Sequence, residues 1–304
     1  MFTNKIVRLP IIRGLKRKLE ILRQLSSLYI PPGHFYSPIV SKSEIIVNQE
    51  RIFGSRGREI PGIDLQIEAQ LDLVRKFSTY YSDFSEAYGK ETTGKTFRPQ
   101  NGYYSFTDAI FLYCMIRHFG PSKIIEVGSG FSSTLMLDIN RDHFNDTISL
   151  AFVEPYPEDR LMGLLPANSP NVEVVKSKVQ DLQVSFFSRL DRNDILFVDS
   201  SHVLKTGSDL HFILFEVLPA LNPGTMIHFH DIFFPFEYPK EHVLGDRWFS
   251  WNEAYALRAF LSYNSDYEII VWNSCLEALE KEVLLTAFPL YGRGGSASIW
   301  LRKL

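Results

Sequence analysis

Lys123-Ile124-Ile125-Glu126-Val127-Gly128-Ser129-Gly130-Phe131-Ser132-Ser133 is the stretch that decides the fold class. A short apolar run ends in a Gly-x-Gly turn and passes directly into a predicted helix over Ser132–Asn140. That is the strand–turn–helix unit of a parallel sheet. The glycines permit a tight turn and let a ligand come close to the backbone. The pattern departs from the dinucleotide fingerprint, because Ser133 stands where the third glycine would be.

The same unit repeats downstream. Apolar runs at Ile148–Val153, Val172–Val175, Asp194–Val198 and Thr225–Phe229 alternate with predicted helices at Glu158–Leu165, Leu182–Leu190 and Asp209–Leu218. Ahead of the first strand, Thr107–Phe119 reads as a helix. The tail adds a helix at Asn252–Tyr263 and strands at Tyr267–Trp272 and Ser298–Arg302. Alternation of this kind predicts a sheet covered by helices on both faces. Residues 1–100 lack it and read as an N-terminal extension, with a helix over Leu65–Tyr81 whose face is Leu65, Ala69, Leu73 and Phe77. The β/α domain then occupies residues 101–304.

Composition narrows the class. A hydrophobic content of 45% with 22% charged residues fits a globular chain and excludes disordered and fibrous classes. A net charge of -3 argues against a nucleic-acid partner, which calls for a broad basic excess. Two cysteines, Cys114 and Cys275, exclude a disulfide scaffold and suit a reducing compartment. No stretch approaches the ~18 consecutive apolar residues of a membrane span, and no signal peptide is evident, so a cytoplasmic location is expected. The N terminus carries Lys5, Arg8, Arg13, Lys16, Arg17, Lys18 and Arg23 against Glu20, with Ile12, Leu15, Leu19, Leu22 and Leu25 at helical spacing. Such a helix packs on the domain or on a second copy in a homo-oligomer, or makes peripheral contact with the inner membrane surface through residues 1–30.

In a doubly wound sheet the site lies at the carboxyl ends of the strands. There Glu126 precedes the first glycine by two residues, where a carboxylate can receive a cationic ligand end. Glu154 ends the second strand, placed to accept hydrogen bonds from ribose hydroxyls, and fits NAD or S-adenosylmethionine (SAM). Asp181, after the third strand, is the candidate partner of an adenine amine, or the cap of the next helix. The fourth strand delivers Asp199 and His202, the fifth His230 and Asp231. Asp199 and Asp231 can share a divalent cation, Mg²⁺ or Mn²⁺ by their oxygen donors, with His230 as a further ligand. His202 can take a proton from a substrate hydroxyl. His228 falls outside this set.

Glu126-Val127-Gly128-Ser129-Gly130-Phe131-Ser132-Ser133, then Phe197-Val198-Asp199-Ser200-Ser201-His202, then His230-Asp231 resembles the class I SAM-dependent methyltransferases, in their small-molecule and sugar O-methyltransferase branch. The resemblance covers roughly residues 100–300. It implies a doubly wound, mostly parallel, Rossmann-like sheet of seven strands with an N-terminal helical extension. It also implies a SAM loop built from Glu126, Gly128, Ser129, Gly130, Ser132 and Ser133, with Glu154 and Asp181 on ribose and adenine. In metal-dependent members an Asp after the fourth strand and acids after the fifth hold the cation, and the sugar-modifying members place a histidine base three residues beyond the first Asp. Asp199, Asp231 and His202 match; His230 departs, since those relatives more often carry an acid there. The acceptor implied is a sugar, glycan precursor or other hydroxylated small molecule. A metal-independent methyltransferase, an NAD-type oxidoreductase and a silent SAM-fold interaction protein remain as alternatives.

Overall fold

The computed structural model describes residues 10–26, 28–54, 57, 59–90, 94–245, 249–295 and 297–304; Lys5 and Arg8 lie outside them. The chain divides into two compact units, residues 1–54 with 240–250, and residues 55–239 with 251–304. The first holds α1 (Pro10–Ser26), α2 (Lys42–Val47) and α3 (Gln49–Phe53). Within it Ser41 caps α2 by accepting from the Glu44 amide, and the Lys42 ammonium donates to the Gly245 carbonyl at 3.2 Å.

The second unit opens with α4 (Ile67–Tyr88) and α5 (Phe106–Phe119), and the chain then winds through β1 (Lys123–Val127), α6 (Phe131–Phe144), β2 (Ser149–Val153), α7 (Leu161–Leu164) and β3 (Val172–Val175). β4 (Ile195–Val198) leads into α8 (Asp209–Phe212), which runs on through a π-helical turn at Ile213–Val217 into α9 (Leu218–Ala220). After β5 (Met226–Phe229), the excursion carrying α10 (Lys240–Leu244) belongs to the first unit. α11 (Glu253–Leu261), β6 (Tyr267–Trp272), α12 (Asn273–Ala287) and β7 (Ile299–Lys303) complete the chain. The sheet runs β3-β2-β1-β4-β5-β7-β6. Only β7 is antiparallel to its neighbours, pairing His228 with Trp300 on one side and Trp272 with Ile299 on the other. The seven-stranded, mostly parallel sheet expected from the alternation is therefore the fold.

β1, β4 and β5 are nearly continuous buried runs because both sheet faces are covered there, whereas β3 at the sheet edge is only partly buried. One cover is α5, whose residues Phe106 to Ile116 are all buried. α4, grouped with the N-terminal region in the sequence, packs in this unit. Its buried side is Gln70, Leu73, Val74, Phe77, Phe84 and Tyr88, so the expected face is corrected: Leu65 precedes the helix and Ala69 is exposed. Gln70 is the reason the helix turns that way. Its amide donates to the Leu65 carbonyl at 2.5 Å and accepts from the Trp272 amide at 2.8 Å, tying α4 to β6.

Two further expectations change. The helix expected at Leu182–Leu190 is only a 3₁₀ turn at Val184–Phe186, since Phe187 and Leu190 reach the core through successive tight turns. Glu158–Leu165 breaks into a 3₁₀ turn and the one-turn α7, because Arg160 has an extended φ of -149° between them.

Candidate active site

β1 and β4 are adjacent but lead to opposite sides of the sheet order, so their carboxyl ends form the switch-point crevice. The turn after β1 is built by side chains as well as glycines. Glu126 is fully buried, with one carboxylate oxygen accepting from the Ser132 hydroxyl at 2.5 Å and the other from the Ser133 hydroxyl. Ser133 in turn accepts from the Gly130 amide at 2.9 Å. The residue in the third-glycine position is thus a hydroxyl that closes the loop. Burial pushes the Glu126 carboxyl up to about 7, with the serine hydrogen bonds opposing it. A cationic ligand group brought beside it would restore its ionisation.

Gly128 has φ +80°, and a Cβ there would stand 1.8 Å from the Asp199 carbonyl oxygen. The backbone of the β4 end passes directly against the loop, with the Asp199 amide donating to the Val127 carbonyl at 2.9 Å. Between them opens a cavity of about 270 Å³, lined by Val127, Gly128, Glu154, Gln180, Asp199 and Ser200 among others. Glu154 sits in it, half-buried, accepting from the Ser129 amide at 3.3 Å and the Tyr156 amide at 2.9 Å. The Ser200 hydroxyl is buried and makes no hydrogen bond among the described residues, so a bound ligand's polar atom could pair with it. Asp181 does not join this group: the 3₁₀ turn at Val179–Asp181 presents Gln180 to the cavity and leaves Asp181 exposed.

Beyond the cavity, β4 and β5 bring the remaining candidates together. His202 and Asp231 both take left-handed backbone conformations, φ +60° and +56°. For His202 the cause is visible. The first residues of α11 grip its loop, with the Asn252 and Glu253 amides donating to the His202 carbonyl at 3.1 and 3.2 Å. The buried His202 ring then has Nδ1 2.7 Å from Glu253 Oε2 and Nε2 3.4 Å from Asp199 Oδ1 and 3.5 Å from Asp231 Oδ2. Trp251 packs against it at 4.4 Å.

His230 faces the same carboxylates from the other side, Nδ1 lying 3.7 Å from Asp199 Oδ1 and 3.6 Å from Asp231 Oδ2, and its Nε2 is 3.5 Å from Asp108 Oδ2. Suitable ligand atoms of Asp199, His230 and Asp231 lie within 4.8 Å of one another, the spacing at which one small cation can touch all three. Both His230 nitrogens are buried, and among the described residues neither is within good hydrogen-bond geometry, the carboxylates of Asp108, Asp199 and Asp231 standing 3.5–3.7 Å away.

Charge reflects this geometry. Burial by itself lowers the His202 pKa, but Asp199 and Glu253 outweigh it and push the imidazole up to about 10. His230 is likewise raised against its burial, by Asp231 and Asp199. Burial opposes ionisation of Asp199, yet His230 and His202 hold its carboxyl below the usual range. Burial raises the Glu253 carboxyl, with His202 opposing. His228 is different: stacked on Phe197 at 3.9 Å and held neutral by burial, it faces no carboxylate.

Sequence reasoning missed Glu253 and Asp108. Glu253 reads as an ordinary acid in the first turn of a helix, and no local pattern reveals its burial. Asp108 left a signal, as the single acid in the otherwise apolar Phe106–Ile116 run, where an unpaired carboxylate is costly. It accepts from Asn273 at 2.6 Å.

Residues 125–232 match a family described as "Methyltransferase domain". A protein of Archaeoglobus fulgidus, described as uncharacterized, is 37% identical over 195 residues, covering 63% of this chain and 85% of that protein. Among solved structures, the O-methyltransferase TomG of Streptomyces achromogenes, in complex with SAM, is 15% identical over 75% of this chain and 97% of its own, with a TM-score of 0.45. An O-methyltransferase of Bacillus cereus bound to S-adenosylhomocysteine is 14% identical over 87% of this chain and 100% of its own, with a TM-score of 0.42.

Proposed function

The chain belongs to the family of the Archaeoglobus fulgidus protein and is a class I SAM-dependent methyltransferase, and from that premise we propose that it methylates a hydroxyl of a sugar or other hydroxylated small molecule. The observation that carries this reading is the convergence of two carboxylates and two imidazoles at the ends of β4 and β5, directly beside the Gly128–Glu154 cavity. Glu126 and the orphaned Ser200 hydroxyl suit SAM, and Asp199, His230 and Asp231 suit a divalent cation. When bound, these groups supply an electrophilic sulfonium methyl and a Lewis acid that makes a hydroxyl more acidic.

The chain's own residues do the rest. His202 Nε2 takes the hydroxyl proton as the acceptor oxygen forms its bond to the methyl carbon and the carbon–sulfur bond breaks. Glu253 on Nδ1 fixes the ring so that Nε2 is the atom facing Asp199 and Asp231. Trp251 against His202, with Tyr238 6.0 Å from Trp251, offers an aromatic wall for a ring-bearing acceptor. A base must start unprotonated, whereas Asp199 and Glu253 push the His202 pKa up to about 10 and so favour the protonated ring at neutral pH. A cation on Asp199 would remove one of these two influences and lower the pKa of the ring.

One observation favours a metal-independent variant of the same reaction: the His202 and His230 rings lie 3.4–3.7 Å from Asp199 and Asp231, and once protonated they would balance the charge of the two carboxylates. Methyl transfer from labelled SAM to a panel of glycosides and phenols, with and without chelator, separates the two. His202→Ala is expected to lower turnover by roughly 10²–10⁴-fold while S-adenosylhomocysteine affinity stays within a few-fold. Asp199→Asn is expected to remove activity and cation dependence together. Undiminished turnover in His202→Ala would sink the assignment of the base, and a fully active enzyme in chelator would sink the cation.

A further inference from the structure

Helix α1 carries an apolar stripe that nothing in the described structure covers. Leu19 is 58% exposed, Leu22 62% and Leu25 39%. In the sequence, helical spacing groups Ile12, Leu15, Leu19 and Leu22, with Lys18 at their edge, and sets Arg13, Lys16, Arg17 and Arg23 apart from them beside a single acid, Glu20. Just beyond its end, Tyr29 and Phe35 are exposed as well.

We propose that α1 docks this unit on an anionic phospholipid surface. A helix with an apolar strip and a basic opposite face lies in the interface plane, its leucines entering the acyl boundary while lysines and arginines meet lipid phosphates. Charge selects this occupant. A second copy of α1 laid against the strip would cover the leucines but leave the lysines and arginines without counter-charge, whereas an anionic surface meets both. Nucleic acid would match the charge and leave the leucines in water. The helix spans 17 residues and carries six charges, so it lies on a bilayer; among the described residues no helix is long and apolar enough to cross one.

The test is co-sedimentation of the full chain with vesicles of phosphatidylcholine alone or mixed with phosphatidylglycerol. Partitioning into the anionic vesicles is expected to exceed that into neutral ones by about tenfold or more at low salt, and to weaken as salt rises. Leu19→Glu with Leu22→Glu, and separately Lys16→Glu with Arg17→Glu, are each expected to lower it by about tenfold or more. Unchanged S-adenosylhomocysteine binding by these variants shows that the sheet unit is intact. Equal binding to both vesicle types, or none, overturns the proposal. So does a wild-type dimer that Leu19→Glu with Leu22→Glu splits without any vesicle binding, since a second copy would then be the occupant.

Discussion

Glu253 and His202 form a close side-chain contact in the candidate site, 2.7 Å between two buried groups. The carboxylate accepts from Nδ1, so the other nitrogen is the one left to exchange a proton with an acceptor. Glu253→Gln keeps the shape and a weaker hydrogen bond but removes the charge. Loss of a charge-assisted bond of this kind corresponds to about 1.5–3 kcal/mol, so turnover is expected to fall by roughly ten- to a hundredfold. S-adenosylhomocysteine affinity is expected to hold, because Glu253 does not line the cavity beside Glu154. Measuring both quantities on one preparation distinguishes positioning from unfolding; a parallel loss of binding would argue against a role confined to His202. Neither residue advertises the contact, since they lie 51 positions apart. Their sequences show only a histidine after a strand and an acid opening a helix.

At the scale of elements, the site depends on how closely the turn after β1 meets the end of β4. The two strands pair in parallel through Val127 and Val198, and Gly128 continues the approach. Gly128→Ala would place a methyl inside the Asp199 carbonyl and strain a φ of +80°. Overpacking of this kind costs about 1–3 kcal/mol and the backbone conformation adds on the order of 1 kcal/mol. A loss of at least about 2 kcal/mol in denaturant unfolding is expected, with weaker S-adenosylhomocysteine binding; a variant as stable as wild type would contradict the contact. The turn itself was legible, because a Gly-x-Gly between an apolar run and a helical segment marks a tight strand-to-helix connection. The helix between Leu182 and Leu190 was not. Its apolar spacing is compatible with a helix, and only the need to bury Phe187 and Leu190 beneath a short connection selects tight turns.

For the whole molecule, the clustered ionisable groups make stability depend on pH. His202 has its folded-state pKa raised from 6.5 to about 10. Its contribution is therefore fully present below pH 6.5 and is lost as pH rises through about 10. His230 is shifted in the same direction, and Glu126, raised from 4.5 to about 7, adds its own loss up to that pH. The ligand-free chain is expected to melt at steadily lower temperature between pH 6.5 and 10. Thermal unfolding across that range checks it, and a flat or rising profile would mean that the imidazoles are not held by the carboxylates.

The sequence by itself determined the alternation of strands and helices and the strand ends at which the candidate residues gather. These are local properties: a buried parallel strand must be apolar throughout, and a turn against a ligand must contain glycine. Tertiary structure alone decided which groups meet. It placed β1 beside β4, set Ser133 on Glu126, turned Asp181 away from the cavity, and brought Glu253 and Asp108 to the two histidines. Such pairings join residues separated by tens to more than a hundred positions. The packing of α5 and α11 fixes them, and no periodicity in the chain encodes it.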